Sequence, residues 1–528
     1  MKLQKKLIAN FKSFNKEKKI QFFLGVLLFL FAIVINQYYG NKGLFPHDSA
    51  SHFDAGKRIL LGEHPIKDYW IISGFIIDYI QSFFFLLLGT SWQTYVLHAS
   101  ILNGLLTLSI FFFFIKLELK LIHAGLLSFS FLILAYPSSG TPFVDHHSSF
   151  FSFLSILFLI LAIRFKDSIY WFFIPVLLVL SFLSKPVPAG YFIIFNGIII
   201  SYFVILKHYK YLWYVLLGSL FSLSFFLFIL ILNEIKISDF YNQYILYPQS
   251  IGSSRYINFF ESSFTNIIIQ HKFIFGLVSL IVFRIFYLKF YKKINKVKTL
   301  EIIIVLISTL CFVLHQTLTK NQIFINFLIP FLSCYILLLF RRNEKISIAV
   351  LILCFFLTTK YHLRFNEERK FHELSSVNFQ NSIPASKISN KLIGLNWITP
   401  QRSNNVIQEI NEINRIKKIL KKEKNFLLLT NYSFFSAILD TSTHSPTRWF
   451  TFDGTDYPRT EGKFKTQYKN LFHRNILNNN INKIFIIEPV KSNELYEYFD
   501  KSCFIEKKYL KNLIELKIIP CKDITVKF

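Results

Sequence analysis

The sequence predicts a polytopic α-helical membrane protein with about eleven transmembrane helices and a small α/β domain at its C-terminal end. Three observations predict it. Of the 528 residues 53% are hydrophobic and 18% aromatic, and they gather repeatedly into apolar runs of about 20, the length a helix needs to span hydrocarbon. Basic residues fall in alternate connections between those runs. Beyond residue 360 the chain turns charged and Asn-rich.

The expected spans lie near 21–37, 95–116, 119–137, 143–165, 169–184, 186–206, 211–233, 267–288, 299–318, 322–340 and 344–360. The N-terminal segment is basic, but no small-residue cleavage site follows Tyr39, so the first run reads as a retained signal anchor. Lys116 with Lys120, Arg164 with Lys166, Lys207 with Lys210, the lysines of 289–298, and Arg341 with Arg342 and Lys345 mark every second connection. The positive-inside rule makes those connections and the N-terminus cytoplasmic and makes residues 361–528 extracytoplasmic. The alternation holds if the apolar stretch 71–89, interrupted by Asp78 and Gln81, lies in the membrane interface instead of crossing. Residues 1–360 then form the transmembrane domain. In the C-terminal domain the spacing Val406, Ile407, Ile410, Ile413, Ile416, Ile419, Leu420 predicts a helix. Strands are expected at 426–429, 484–487 and 513–519, with a helix near 492–500.

The formal charge of +28 would suggest nucleic acid in a soluble protein, but here the basic residues sit between apolar runs and form no single patch. Part of the excess is compositional, since Lys, Ile, Phe and Asn are all abundant. Cys311, Cys334 and Cys354 lie in apolar runs and read as core residues. Cys503 and Cys521 lie in the extracytoplasmic domain, where a disulfide between them is expected.

Ionisable residues concentrate in the outer loops. The first, GLFPHDSASHFDAGKRILLGEHPIKDYW, carries Asp48, Asp54, Arg58, Glu63 and Asp68 directly after a span, a density that invites a functional reading. Asp48 also precedes a helical pattern, so its alternative role is a helix N-cap. The second, SSGTPFVDHHSSF, sets Asp145, His146 and His147 at the start of the fourth span. Asp145 again reads as cap or as functional acid, and since neighbours on a helix point apart, at most one histidine shares its site. A divalent metal bound there, with His146 as ligand, is the one cofactor these loops suggest. Lys185 and Lys320 stand at outer membrane ends, where they either snorkel to headgroups or clamp a lipid phosphate.

In this order the pieces resemble the C superfamily (GT-C) of membrane glycosyltransferases, particularly the branch of the protein mannosyltransferases and lipid A aminoarabinose transferases. The resemblance covers residues 20 to about 360. Its strongest element is the first loop, where an acid, a helix with small residues, Leu-x-Gly and Pro-x-x-Asp are matched by Asp48, Ala55, Leu61-Gly62-Glu63-His64-Pro65 and Asp68. Weaker elements are Asp145 opening the fourth span, Ser184-Lys185 after the fifth, and Lys320 before Leu328-Ile329-Pro330. The chain departs from the family at Phe324 and Phe327, where a Tyr is usual, and at His146 and His147.

The resemblance implies a GT-C-like enzyme of the bacterial inner membrane that moves a sugar from a polyprenyl-phosphate donor to a cell-envelope acceptor at the outer face. Asp48 would then be the general base, with Asp145 a second catalytic acid, because a carboxylate beside a low-dielectric surface is tuned to accept a proton. Lys185, Lys320, Arg58 and Asp68 would form the donor and phosphate side, where positive charge must be preorganised for the leaving group. No G-x-G-x-x-G or P-loop calls for a nucleotide, and no C-x-x-C or H-E-x-x-H for a redox or zinc centre. Two other classes compete. A flippase or transporter would carry polar residues at mid-span, whereas these span centres are Phe, Leu and Ile. A polysaccharide polymerase or ligase would use a large late loop, for which 234–266 with Asp239, Tyr241, Tyr247 and Arg255 is the candidate. In the C-terminal domain Arg448, Trp449, Asp453 and Tyr457 form a polar-aromatic cluster suited to sugar stacking or to an ordinary surface loop.

Overall fold

A computed structural model of the chain describes residues 16–252, 264–291, 295–319, 323–450, 455–521 and 523–524. Lys320, Arg255 and Asp453 lie outside the described residues. Among the described residues nine helices are long and apolar enough to cross a membrane. The helices that frame the site are α1 (Lys16–Gly40), α2 (Ser51–Leu60), α3 (Phe75–Leu88), α4 (Trp92–Lys116), α5 (Leu121–Leu134), α6 (Val144–Phe165), α7 (Ser168–Ser184), α8 (Pro186–Ile205), α9 (Tyr209–Leu232), α10 (Lys272–Phe290), α11 (Lys296–Thr319), α12 (Leu328–Leu339) and α13 (Glu344–Tyr361). Two expected spans, α7 with 17 residues and α12 with 12, fall short of that crossing length, and α5 reaches it with the short turn that continues it to Ser138.

The outward surfaces of these helices are themselves apolar. Along α9, Leu216, Leu220, Phe221, Phe228 and Ile231 are all exposed, a continuous face that water would not tolerate and lipid would. The chain is a membrane protein on that ground. Inside the bundle α4, α6, α11 and α12 meet over an aromatic core in which the rings of Phe153 and Phe331, and of Phe150 and Phe327, lie 5.0 Å apart. Helix α3 differs. Its 14 residues reach only about 21 Å, less than the hydrocarbon thickness. It buries Asp78 and Gln81 on one face and exposes Phe83, Leu86 and Leu87 on the other.

Backbone crossings bring the two outer loops together. A Cβ on Gly140, at φ +75°, would meet the Gly40 backbone at 2.6 Å, so only glycine lets the end of α1 cross the second loop here. Asn36 fixes the crossing by donating to Gly140 O at 3.1 Å and to Ser100 Oγ at 3.0 Å. From the segment that follows α13, Arg369, buried, donates to the carbonyls of Pro137, Ser138 and Ser139 at 2.6–3.2 Å and holds that loop in place.

The C-terminal region builds a four-stranded sheet from β1 (Phe426–Leu429), β2 (Lys483–Ile487), β3 (Phe504–Leu510) and β4 (Leu513–Ile518), in the order β1-β2-β4-β3. β1 and β2 are parallel, joined across helix α15 (Lys463–Asn478), while β3 and β4 form an antiparallel hairpin. Every residue of β1 is buried, which is why it reads as an unbroken Phe-Leu-Leu-Leu run. Helix α14 (Val406–Leu420) packs through Val406, Ile410, Ile413, Ile416 and Leu420, while Ile407 and Ile419 of the expected stripe stay exposed and half-buried, respectively. The expected helix near 492–500 shrinks to Asn493–Tyr496, and both α15 and β3 went unanticipated. Cys503 and Cys521 are bonded and close the open end of the hairpin. Replacing both by Ser is expected to lower the stability of this region by about 3 kcal/mol; thermal unfolding with and without reductant checks it, and an unchanged midpoint contradicts it.

This region does not stand apart from the first loop. Leu44, Phe53, Trp92 and Tyr95 share one hydrophobic cluster with Ile398, Phe434 and Phe485, and Trp70 packs with Tyr457 and Tyr468 in another. Trp70 N donates to Pro446 O at 2.8 Å.

Candidate functional site at the loop face of the bundle

Asp48 sits in a four-residue helical turn, Pro46–Ser49, opened by a proline whose fixed φ suits that position. The turn is held by Ser49 Oγ, which accepts from Phe45 N at 3.1 Å and also bonds His372 Nδ1 at 3.2 Å. The cap alternative fails on geometry: neither Phe45 nor Ala50, the residues preceding the two short helices, is capped by a side chain, and Asp48 lies within the turn. Its carboxylate, half-buried, accepts no hydrogen bond and forms no ion pair among the described residues. Burial pushes that carboxyl up to about 7, the negative charges of Glu373 and Asp145 push the same way, and Lys185 opposes them.

Asp145, in the first turn of α6, is fully buried and is held, among the described residues, by Lys185 and His315. Lys185 Nζ reaches its Oδ1 at 2.6 Å and His315 Nε2, from α11, the same atom at 3.0 Å. Lys185 follows α7 in extended conformation, as a residue before Pro186 must, and this turns its side chain inward to Asp145 and away from the headgroups. Asp48, Asp145 and Lys185 are thus brought within electrostatic reach of one another. Beside them opens a cavity of about 130 Å³, lined mainly by the apolar Ile72, Pro186, Val187, Tyr191 and Leu318, with Lys185 on its wall. Larger hollows elsewhere, on the C-terminal region and at the far ends of the helices, touch none of these three residues.

Other expected site residues are placed elsewhere. Arg58 is buried, with its Nε on Glu63 at 2.7 Å, its Nη2 on Ser445 O at 2.8 Å and its guanidinium 4.0 Å from the Tyr69 ring centre. Two of the five N–H groups of the guanidinium are thereby engaged within the protein, which gives Arg58 a structural role at the junction with the C-terminal region. Asp68 accepts from His64 N at 2.7 Å within its own loop, and its carbonyl receives Asn475 Nδ2 at 2.7 Å, so it closes a turn and seats the C-terminal region. His146 bonds Ser138 Oγ at 3.0 Å, stacks on Phe324 at 4.7 Å and lies among Tyr136 and Phe371. His146 is thus packed among aromatic rings, and among the described residues no three His, Cys, Asp or Glu side chains gather as metal ligands. His147 Nε2 meets His98 Nε2 at 3.0 Å and its Nδ1 meets the Tyr136 hydroxyl, away from Asp145.

The C-terminal cluster is divided. Tyr457 is buried beneath the domain, paired with Glu494. Arg448 crosses to the first loop, where it pairs with Asp78 and donates to Ser73 O at 3.1 Å. Asp78 also holds His52 Nδ1 at 2.6 Å. Gly74, at φ +79°, leaves room for this meeting: a Cβ there would lie 2.5 Å from the His52 ring. Trp449 remains half-buried and stands 5.7 Å from His47, the neighbour of Asp48. Sequence reasoning missed His315, which reads as one polar residue in an apolar span, and Glu373, which follows the last span with no motif around it. No family model matches the chain, and no curated protein matches it.

Proposed function

We propose that the chain is a glycosyltransferase of the GT-C type that transfers a sugar from a polyprenyl-phosphate donor to an envelope acceptor at the outer membrane face, with inversion. The reading is carried by one observation: an Asp48 carboxyl with no partner among the described residues and a pKa near 7 lies within electrostatic reach of the Lys185 ammonium, which stands on the wall of an apolar cavity between membrane helices. The isoprenoid enters the cavity along Val187 and Leu318, which leaves its phosphate near Lys185. The acceptor hydroxyl gives its proton to Asp48 as its oxygen bonds the anomeric carbon. The bond from that carbon to the phosphate oxygen breaks, and its electron pair departs with the phosphate, whose charge Lys185 stabilises. Asp145, itself bonded by His315, holds the ammonium in place, and Trp449, near His47, offers an aromatic ring for a sugar.

The proposal includes eleven crossings, with α3 in the interface and the C-terminal region on the outer side, as charge placement suggests. It is tested by mass spectrometry of envelope lipids and glycans from a deletion strain complemented with wild type or Asp48→Asn. A sugar present with wild type and missing with the variant supports it; the same glycans in both strains contradict it. Asp145→Asn is expected to act through Lys185, raising the KM for the lipid donor about tenfold more than it lowers kcat; equal loss of both would place Asp145 in the chemical step.

A further inference from the structure

A second charged hollow lies at the other end of the same helices. From Asp145 to Arg164 along α6 the rise is roughly 28 Å, about the thickness of a bilayer core. There a cavity of about 410 Å³ opens between the ends of α4, α6, α11 and α12. Arg164, Lys298 and Arg341 line it, together with Glu118, Glu301 and the Tyr335 side of α12. Glu301 is buried, accepts from the Tyr335 hydroxyl at 3.1 Å and lies 3.6 Å from Arg164 Nη1. A buried acid at a membrane-helix end calls for an explanation, and here it orients Arg164 toward the hollow.

Arg341 bonds Glu118 at 3.2 Å, a pair exposed on both sides and readily exchanged for a stronger anion. Lys298 is half-buried, within electrostatic reach of Arg164, Arg341 and Glu301, and its ammonium makes no hydrogen bond or ion pair among the described residues. Three cations converge on a polar hollow in which two acids are already engaged. An anion with several acceptor oxygens is the ligand that satisfies them.

We propose that this cavity binds a phosphate group, carried by an anionic phospholipid of the leaflet opposite Asp48 or by a small soluble phosphate. The hollow opens between helix ends, where basic pockets meet lipid headgroups. The inference stands whether or not the chain transfers sugar, since it uses none of the residues around Asp48.

The full-length protein in neutral detergent is titrated with dioleoylphosphatidylglycerol, with dioleoylphosphatidylcholine and, separately, with sodium phosphate, following thermal unfolding and lipid retention by native mass spectrometry. Saturable stabilisation by phosphatidylglycerol alone, weakened about tenfold in Lys298→Gln and in Arg341→Gln, supports the lipid source. Equal stabilisation by sodium phosphate with the same sensitivity to both variants supports the soluble source. Both variants leave Glu301 paired with Arg164, so they are expected to fold. Indistinguishable effects of the two lipids and no effect of phosphate, or variants that respond as wild type does, overturn the proposal.

Discussion

Replacing Asp48 by Asn is expected to reduce sugar transfer by about 10²–10⁴-fold, the usual contribution of a positioned general base, without destabilising the protein. The two halves of that expectation come from one cause. A carboxyl moved from an ordinary 3.8 to about 7 binds its proton more tightly in the folded chain than in the unfolded one. Its contribution to stability therefore falls as pH rises from about 4 to about 7, and its ionised form carries the full burial cost above that. Asn keeps the shape and removes the charge. At pH 8 the variant is expected to unfold at the same temperature as wild type or higher, while losing activity. A stabilising substitution that abolishes turnover marks a group kept for chemistry. A variant that loses both together would assign Asp48 a structural role.

The second large effect is expected at Arg448. Asp78 is fully buried, and Arg448 reaches it across the junction between the C-terminal region and the first loop. Arg448→Ala strands a buried carboxylate with only His52 and the Tyr69 hydroxyl beside it, and is expected to cost about 3–5 kcal/mol. Arg448→Lys is expected to recover little, because one ammonium cannot serve both Asp78 and Ser73 O in the guanidinium's planar geometry. Thermal unfolding with limited proteolysis of the C-terminal region measures this. Loss below about 1 kcal/mol would show that the junction is held without this pair, by its apolar clusters and its other polar contacts.

That junction explains where sequence reasoning succeeds and where it stops. Hydropathy read the membrane helices well, because lipid leaves their outward faces as apolar as their inward ones. Asp48, Asp145 and Lys185 stood out since each is an ionisable group at the end of an apolar run. The pairing among them was not legible. His315 joins Asp145 from 170 residues away, and nothing local distinguishes it from a satisfied core histidine. The partners of Arg58 were not legible either, because Glu63 apart they come from the far C-terminal segment: Ser445 directly and His444 through Glu63.

The C-terminal region shows the same limit. Strand β1 and helix α14 carry strong local patterns and were placed to the residue. In α15 the buried stripe of Tyr468, Leu471, Phe472 and Ile476 is interleaved with Lys, Arg and Asn, which masks its period. In β3 most residues of Phe-Ile-Glu-Lys-Lys-Tyr-Leu are exposed, as on an edge strand, so the alternation that marks a half-buried strand is absent.

The most direct test of the central claim is the pH dependence of single-turnover transfer in proteoliposomes, using the sugar carrier identified in the complementation experiment. If Asp48 is the base, the wild-type rate rises about tenfold per pH unit below its pKa and levels off near pH 7, while the residual rate of Asp48→Asn lacks that step. A wild-type rate already at its plateau at pH 5, or an Asp48→Asn profile that keeps the same inflection, would contradict the account.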